Sequence, residues 1–455
     1  MALTKSPVQF SKFVFPRLIA FAAFAWLATA AGASDAVIVR ATVHAHAFPA
    51  GDAPNSFVAA DYQGNLRDLP IGVFDSGVGG LTVFEAIKNF DVFNNHTGQP
   101  GADGVPDFAN ENFIYLGDQA NMPYGNYPAV QKTDFLRELI LRDAAFLLGR
   151  RFWRAADETG AVMTKPPVKA IVIACNTATA YGLDDIRAAA KAWGVPVITV
   201  GVVEAGARGL AETRGDHTGT IAVFATVGTC ASNAYPRAIT RALGDNTANV
   251  WQRGSVTLAA AIEGDASVKE SVPDIVNFEV RSLLDERVAH GGKAIDTIVL
   301  GCTHYPLVEQ DFLTVLAQWR NYTAADGQQP YADLVAEKIH VVDPAKWTAQ
   351  DLWRSLTQSD LWRSTPAVGG DQFYISVANP QWPGVQLDAD GGLDRAYKYG
   401  REAGELTRED TIVVPLTPDR LPASSAKLVR EHLPKTWASL VEASKIAKTA
   451  YGSTH

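Results

Sequence analysis

Only three of the 455 residues are cysteine. An odd count that small excludes a fully paired disulfide framework. No lysine- or arginine-rich run is present and the formal net charge is −9, so the chain lacks the electrostatic footprint of a nucleic-acid binder. The apolar stretch Leu18–Leu27 is shorter than the about 20 residues that a membrane span requires. The run Gly77-Val-Gly79-Gly80 has neither the G-x-G-x-x-G spacing of a dinucleotide fingerprint nor the G-K-[ST] ending of a P-loop, and no nucleotide is inferred. Asp103 and Asp107, in a Gly/Pro/Asp-rich segment from Asn94 to Asn110, lack the ligand pattern of an EF-hand, so this segment reads as a surface insertion and no metal site is expected. What remains is a globular composition, 47% hydrophobic and 20% charged, long enough for two or more domains with buried sheets.

Two of the three cysteines occupy similar positions. Ile171-Val-Ile-Ala-Cys175-Asn176-Thr177 and Ile298-Val-Leu-Gly-Cys302-Thr303-His304 each deliver a thiol from the end of an apolar, β-branched run. Read as buried strands, these runs place both sulfurs at strand carboxyl ends, where α/β sheets collect ligand-binding groups. One buried cysteine is ordinarily a small hydrophobe. A pair in matched contexts suits acid–base chemistry: a thiolate removes a proton from an amino-acid α-carbon, a thiol returns one to the opposite face, and the two exchange protonation states. Helices beginning directly after each sulfur would favour the thiolate form, and His304, two residues on, is the expected partner for Cys302. Cys230 reads as packing.

With Ile71-Gly-Val-Phe-Asp75-Ser76-Gly77-Val-Gly-Gly80, Tyr115-Leu-Gly-Asp118 through Pro123-Tyr124-Gly125, Val195–Ala207 and Ile221–Tyr235, these motifs resemble cofactor-independent glutamate racemase over roughly residues 68 to 345. The resemblance implies two pseudo-symmetric α/β domains with mainly parallel sheets and an active site in the cleft between them. It makes Cys175 and Cys302 the proton donor and acceptor, with Asp75, His304 and Glu263 assisting. Asp75 and Ser76 would meet the substrate amino group, Tyr124 and Gly125 would contribute from the next loop, and Asn176, Thr177, Thr303 and His304 would hold carboxylates. No cofactor is implied, and the partner is a small acidic amino acid. Asp118 stands in a motif position and equally suits a turn cap. The segment Gly254–Gly264 departs from the family pattern, so Glu263 reads either as the family's glutamate or as a solvated helix-end carboxylate. Cys302-Thr303-His304-Tyr-Pro306 favours glutamate over aspartate, whose racemases tend to carry Cys-Thr-Glu. Racemisation of aspartate or another amino acid, or non-catalytic capture of an acidic amino acid, are the competing readings.

The expected organisation is a signal peptide at 1–33, a lead-in at 34–67 with a strand and a loop, a first domain of 68–200 plus 302–345, a second of 201–301, and a C-terminal extension, 346–455, packed on the core. Lys5, Lys12 and Arg17 precede Leu18–Leu27, and Ala31-Gly-Ala33 resembles a cleavage site; an uncleaved segment would be the only membrane contact. Removing these three positive charges takes the net charge from −9 to −12. The implied location is exported and periplasmic, with D-glutamate serving cell-wall peptidoglycan and the thiols kept reduced despite an oxidising compartment. The extension carries Trp347, Trp353, Trp362, Trp382 and Trp437, and Trp437, Leu440 and Val441 recur at helical spacing. Its residues fit a dimer contact, a lid over the cleft or docking to a cell-wall enzyme, and favour none of these.

Overall fold

The computed structural model describes residues 54–451 apart from 216–217, 245–248, 266 and 406. The segment expected to be a signal peptide, 1–33, and residues 34–53 of the lead-in fall outside the described residues. Its described remainder forms turns and two 3-10 helices, Ala59–Tyr62 and Leu66–Asp68.

Among the described residues ten strands form two sheets: β1 Ile71–Asp75, β2 Phe113–Gly117, β3 Ala170–Ile173, β4 Ile198–Gly201, β5 Thr220–Thr226, β6 Asn249–Ser255, β7 Ile295–Gly301, β8 Val335–Val342, β9 Gln372–Ala378 and β10 Thr411–Pro415. The first sheet runs β10-β9-β2-β1-β3-β4 and the second β6-β5-β7-β8. All pairings are parallel except β9 with β10. Every residue of β1, β2 and β3 is buried. Continuous apolar runs such as Ala170-Ile-Val-Ile173 suit strands covered by helices on both faces, where no alternation with polar residues is needed.

Two boundaries differ from the sequence-based expectation. Residues 302–345 do not return to the first domain: β8 pairs with β7 and completes the second sheet, and the chain crosses back only at the helix Pro344–Gln358. The extension is not simply laid on a finished core either, because it contributes β9 and β10 to the first sheet, with β9 directly beside β2. Phe373 of β9 is 3% exposed and packs against Phe84 and Tyr115, with ring centroids 5.2 and 6.2 Å away. These strands lay beyond the reach of the family resemblance, and their neighbours are remote in sequence.

The extension's tryptophans complete the packing. Trp353 stacks on Phe93 at 3.6 Å, and Trp362 lies 5.4 Å from Phe108, anchoring the 94–110 insertion. The last helix, Pro434–Tyr451, buries Leu440, and Thr436 bonds to Glu85 through both its amide and its hydroxyl. Below the first sheet Lys169 and Glu111, both wholly buried, pair at 2.7 Å while the lysine also donates to the carbonyls of Arg67 and Leu361.

Phe373→Ala removes a buried aromatic and is expected to destabilise the whole first sheet by about 3–5 kcal/mol. Urea unfolding followed by far-UV circular dichroism checks this; an unchanged midpoint would mean that the extension is energetically separate from the sheet.

Candidate active site

The strand register determines which loops meet. Phe74 of β1 pairs with Ile173 of β3, so the next residues bring Ser76 beside Cys175. Ala225 of β5 pairs with Gly301 of β7, which puts Thr226 beside Cys302 at the carboxyl end of the second sheet. Both cysteines are 6% exposed, and all three thiols are free.

Cys175 is the N-cap of the helix Asn176–Trp193. Its sulfur accepts the Ala178 amide at 3.4 Å and lies 3.7 Å from the Ser76 hydroxyl, to which the thiol donates. A helix N-terminus favours negative charge on sulfur, but burial pushes the thiol well above its ordinary value and the Asp75 carboxylate adds to the rise. Burial thus favours the protonated form of Cys175. No α-helix starts directly after Cys302, contrary to the sequence-based expectation: Pro306 opens a 3-10 turn, Tyr305–Val308, and the next helix begins at Glu309. Its sulfur is served by a side chain instead. His304 Nδ1 lies 3.6 Å from Cys302 Sγ, and Nε2 lies 2.6 Å from Glu263 Oε1.

Burial of His304 opposes its charge, but hydrogen bonds to Cys302 and Glu263, reinforced by their negative charge, raise the imidazole well above its ordinary value. An imidazolium bridging a sulfur and a carboxylate is the partner that a thiolate requires. Glu263 ends the helix Leu258–Glu263, where Gly264 at φ +78° turns the chain, and it is 7% exposed. The solvated alternative is thus corrected: the carboxylate orients His304.

Asp75 ends β1 within the electrostatic reach of His304. Its Oδ2 accepts the amides of Gly77 at 3.2 Å and Gly80 at 3.0 Å, while Oδ1 is buried with no protein partner and is free to receive a cationic ligand group. Burial raises its carboxyl above the usual range, and the charged His304 pulls the other way. Glycine is required here by crowding: a Cβ at Gly80 would strike Asp75, and one at Gly79 would strike His304 and Thr303.

The remaining site candidates join the two halves. Asn176 Oδ1 accepts the Tyr235 hydroxyl at 2.7 Å, and Thr177 lies 3.2 and 3.0 Å from the hydroxyls of Thr226 and Thr229. The carbonyl of Thr303 accepts from Thr82 at 2.9 Å, and Gly125 faces Thr226. Tyr124 needs correction. Its hydroxyl is committed to Asp118 at 2.5 Å and Asp143 at 2.7 Å and so is not the group offered to a ligand. Asp118 likewise does not cap the turn that follows it; it accepts from Asn121 and Ser376. Tyr235, Thr226 and Thr229 were missed as site residues, although they sit in a motif that carries the family resemblance; their role depends on facing a different domain. Asp103 and Asp107 accept backbone amides of their own loop, and the described residues contain no cluster of three or more His, Cys, Asp or Glu able to hold a metal.

A thiol and an imidazolium-paired sulfur around a buried, partly unsatisfied carboxylate can exchange protons with the α-carbon of an amino acid. Comparison with known proteins decides the family. A family model described as Asp/Glu/Hydantoin racemase matches residues 153–350. A glutamate racemase of Symbiobacterium thermophilum is 32% identical over 323 residues, covering 69% of this chain and 91% of that protein. The chain belongs to the glutamate racemase family. Another member, from Gloeothece citriformis, is 33% identical, with 69% of this chain and 89% of that protein covered. The solved glutamate racemase of Francisella tularensis, in complex with D-glutamate, is 23% identical, covers 74% of this chain and 95% of that one, and aligns with a TM-score of 0.47.

Because the folded-state value of His304 is raised, its contribution to stability is full below the unfolded imidazole value near 6.5 and is lost as pH rises through the folded value. Glu263→Gln is expected to lower the His304 titration, read by imidazole ¹⁵N chemical shift, and to narrow the difference in urea midpoint between mildly acidic and alkaline solution.

Proposed function

We propose that this chain is an amino-acid isomerase that interconverts L- and D-glutamate by proton transfer between Cys175, Cys302 and the α-carbon, with no cofactor. The observation that carries the reading is the arrangement of the two sulfurs: Cys302 beside the His304–Glu263 pair and Cys175 as a proton-bearing thiol beside Asp75 and Ser76. The similarity to glutamate racemases and the Cys302-Thr303-His304 motif support glutamate as substrate.

In one direction the Cys302 thiolate removes the α-proton and becomes a thiol. The carbanion's charge spreads into the α-carboxylate, where amides and hydroxyls around Asn176, Thr177 and Thr303 stabilise it. Cys175 then donates its proton to the opposite face and becomes the thiolate. Atoms and charge balance, and the next turnover of the product runs the same steps in reverse. Asp75 Oδ1 receives the substrate ammonium, offsetting a buried carboxylate with a cation. The nearly sealed sulfurs imply that the two halves separate to admit substrate, after which closure excludes water from the carbanion.

The same proposal extends to location. Lys5, Lys12 and Arg17 ahead of Leu18–Leu27, with Ala31-Gly-Ala33 behind, support export to the periplasm after cleavage following Ala33. Amino-terminal sequencing of protein recovered from the periplasm is expected to begin at Ser34; protein that begins upstream and stays in the cytoplasm would overturn this.

Reduced protein incubated with either enantiomer of glutamate in heavy water is expected to racemise it and to place deuterium at the α-carbon. Cys175→Ala and Cys302→Ala each lower racemisation by at least about a thousandfold. A lone remaining thiol exchanges the α-proton of only the enantiomer that it faces. Equal loss of exchange on both enantiomers in both variants would remove the two-thiol assignment, and wild-type protein that binds glutamate without exchange would make the pocket a receptor.

A further inference from the structure

The loop from Asp118 to Lys132, which carries Tyr124 and Gly125 to the cleft, contains nothing longer than three single 3-10 turns. Backbone pairing does not hold such a segment in place, so its position depends on side chains that reach it. On its cleft side Gly125 lies against Thr226 and Gly228 of the second half. Tyr124 bonds to Asp143 of the following helix at 2.7 Å, and a further set of contacts comes from the C-terminal extension. Ser376 donates to Asp118 at 2.6 Å and accepts the Ala120 amide at 3.0 Å. Lys398 donates to the Met122 carbonyl at 2.9 Å. Asn126 donates to Tyr399 at 3.2 Å, and Lys132 pairs with Glu402.

Arg401 is central to this set. Its side chain is 3% exposed, and its Nη2 donates to Asn121 Oδ1 at 2.6 Å and to the Tyr127 hydroxyl at 3.3 Å. Nη1 pairs with Asp410 at 3.1 Å, Nε donates to the Lys398 carbonyl at 3.0 Å, and the guanidinium lies 4.8 Å from the centre of the Phe135 ring. Removing a guanidinium from the surface is costly unless each donor is directed to an acceptor. Here the acceptors divide between the extension and the substrate loop, so one rigid fork fixes the two relative to each other.

We infer that the extension is a built-in brace of the substrate site, in which Arg401, with Lys398 and Ser376, is a positioning residue that holds the 118–132 loop against the cleft. Its kinetic consequence rests on the racemase reading; its structural consequence does not. Loosening the brace frees the loop that completes the pocket, so substrate binding weakens while the sulfurs, carried by β3 and β7, keep their chemistry.

The test uses the full chain. Arg401→Met would leave Asp410 as an unpaired buried charge, so the double variant Arg401→Met/Asp410→Asn is compared with Lys398→Met, which leaves no such charge behind. In both, amides of residues 119–131 are expected to exchange with deuterium at least about tenfold faster while those of β5 and β7 keep wild-type protection. KM for glutamate is expected to rise about tenfold with kcat changed less than about threefold. Unchanged loop exchange in the folded variants, or acceleration spread equally over all strands, would overturn the brace. Accelerated loop exchange with KM unchanged would overturn its link to substrate binding. A wild-type protein without racemase activity would overturn the reading of the reaction and leave the exchange result to judge the brace.

Discussion

A single buried carboxylate organises the glycine turn at the centre of the site. Asp75 ends β1, accepts two amides of the glycine turn that follows, and lies in the electrostatic field of both Cys175 and His304. Desolvating a carboxylate is expensive unless amides and cations surround it. Here the amides demand a tight turn, and that turn passes so close to Asp75 and His304 that only glycine fits at residues 79 and 80. The glycine run therefore has a local cause that owes nothing to phosphate binding.

The two sulfurs are poised differently within a nearly symmetric frame. Parallel sheets bring both to strand carboxyl ends, yet one sits at a helix N-terminus and the other beside an imidazolium held by Glu263. Burial raises the first and overrides the helix end. An acidic substrate entering a cleft that already contains Asp75 and Glu263 meets repulsion unless cations compensate. His304 supplies one charge, and the substrate's own ammonium supplies the other.

Much of this was legible in the chain. Apolar β-branched runs ending in cysteine identified β3 and β7, and the His304 spacing identified a partner for Cys302. Glu263 stayed ambiguous because whether a helix-end carboxylate faces solvent or a histidine 41 residues away is a tertiary fact. The helix expected directly after Cys302 failed for a local reason: Pro306 and the tight turn at Tyr305 start a 3-10 segment first. Tyr124 was assigned to the substrate on resemblance, and only the fold shows its hydroxyl committed to Asp143, from the following helix. The extension was the least legible part, since strands that add to a sheet edge some 250 residues distant leave no local pattern of their pairing.

The sheet order also dictates a schedule for the growing chain. Strands β5 to β8 occupy 220–342 without interruption, so the second sheet can assemble as soon as that stretch has emerged. The first sheet cannot, because β9 and β10 arrive only with residues 372–415. Until then β2 is an apolar edge strand with unpaired backbone groups, the kind of surface on which nascent chains associate. The half that is translated first is thus the half that folds to completion last, and the late strands act on their own polypeptide as an intramolecular cap against aggregation.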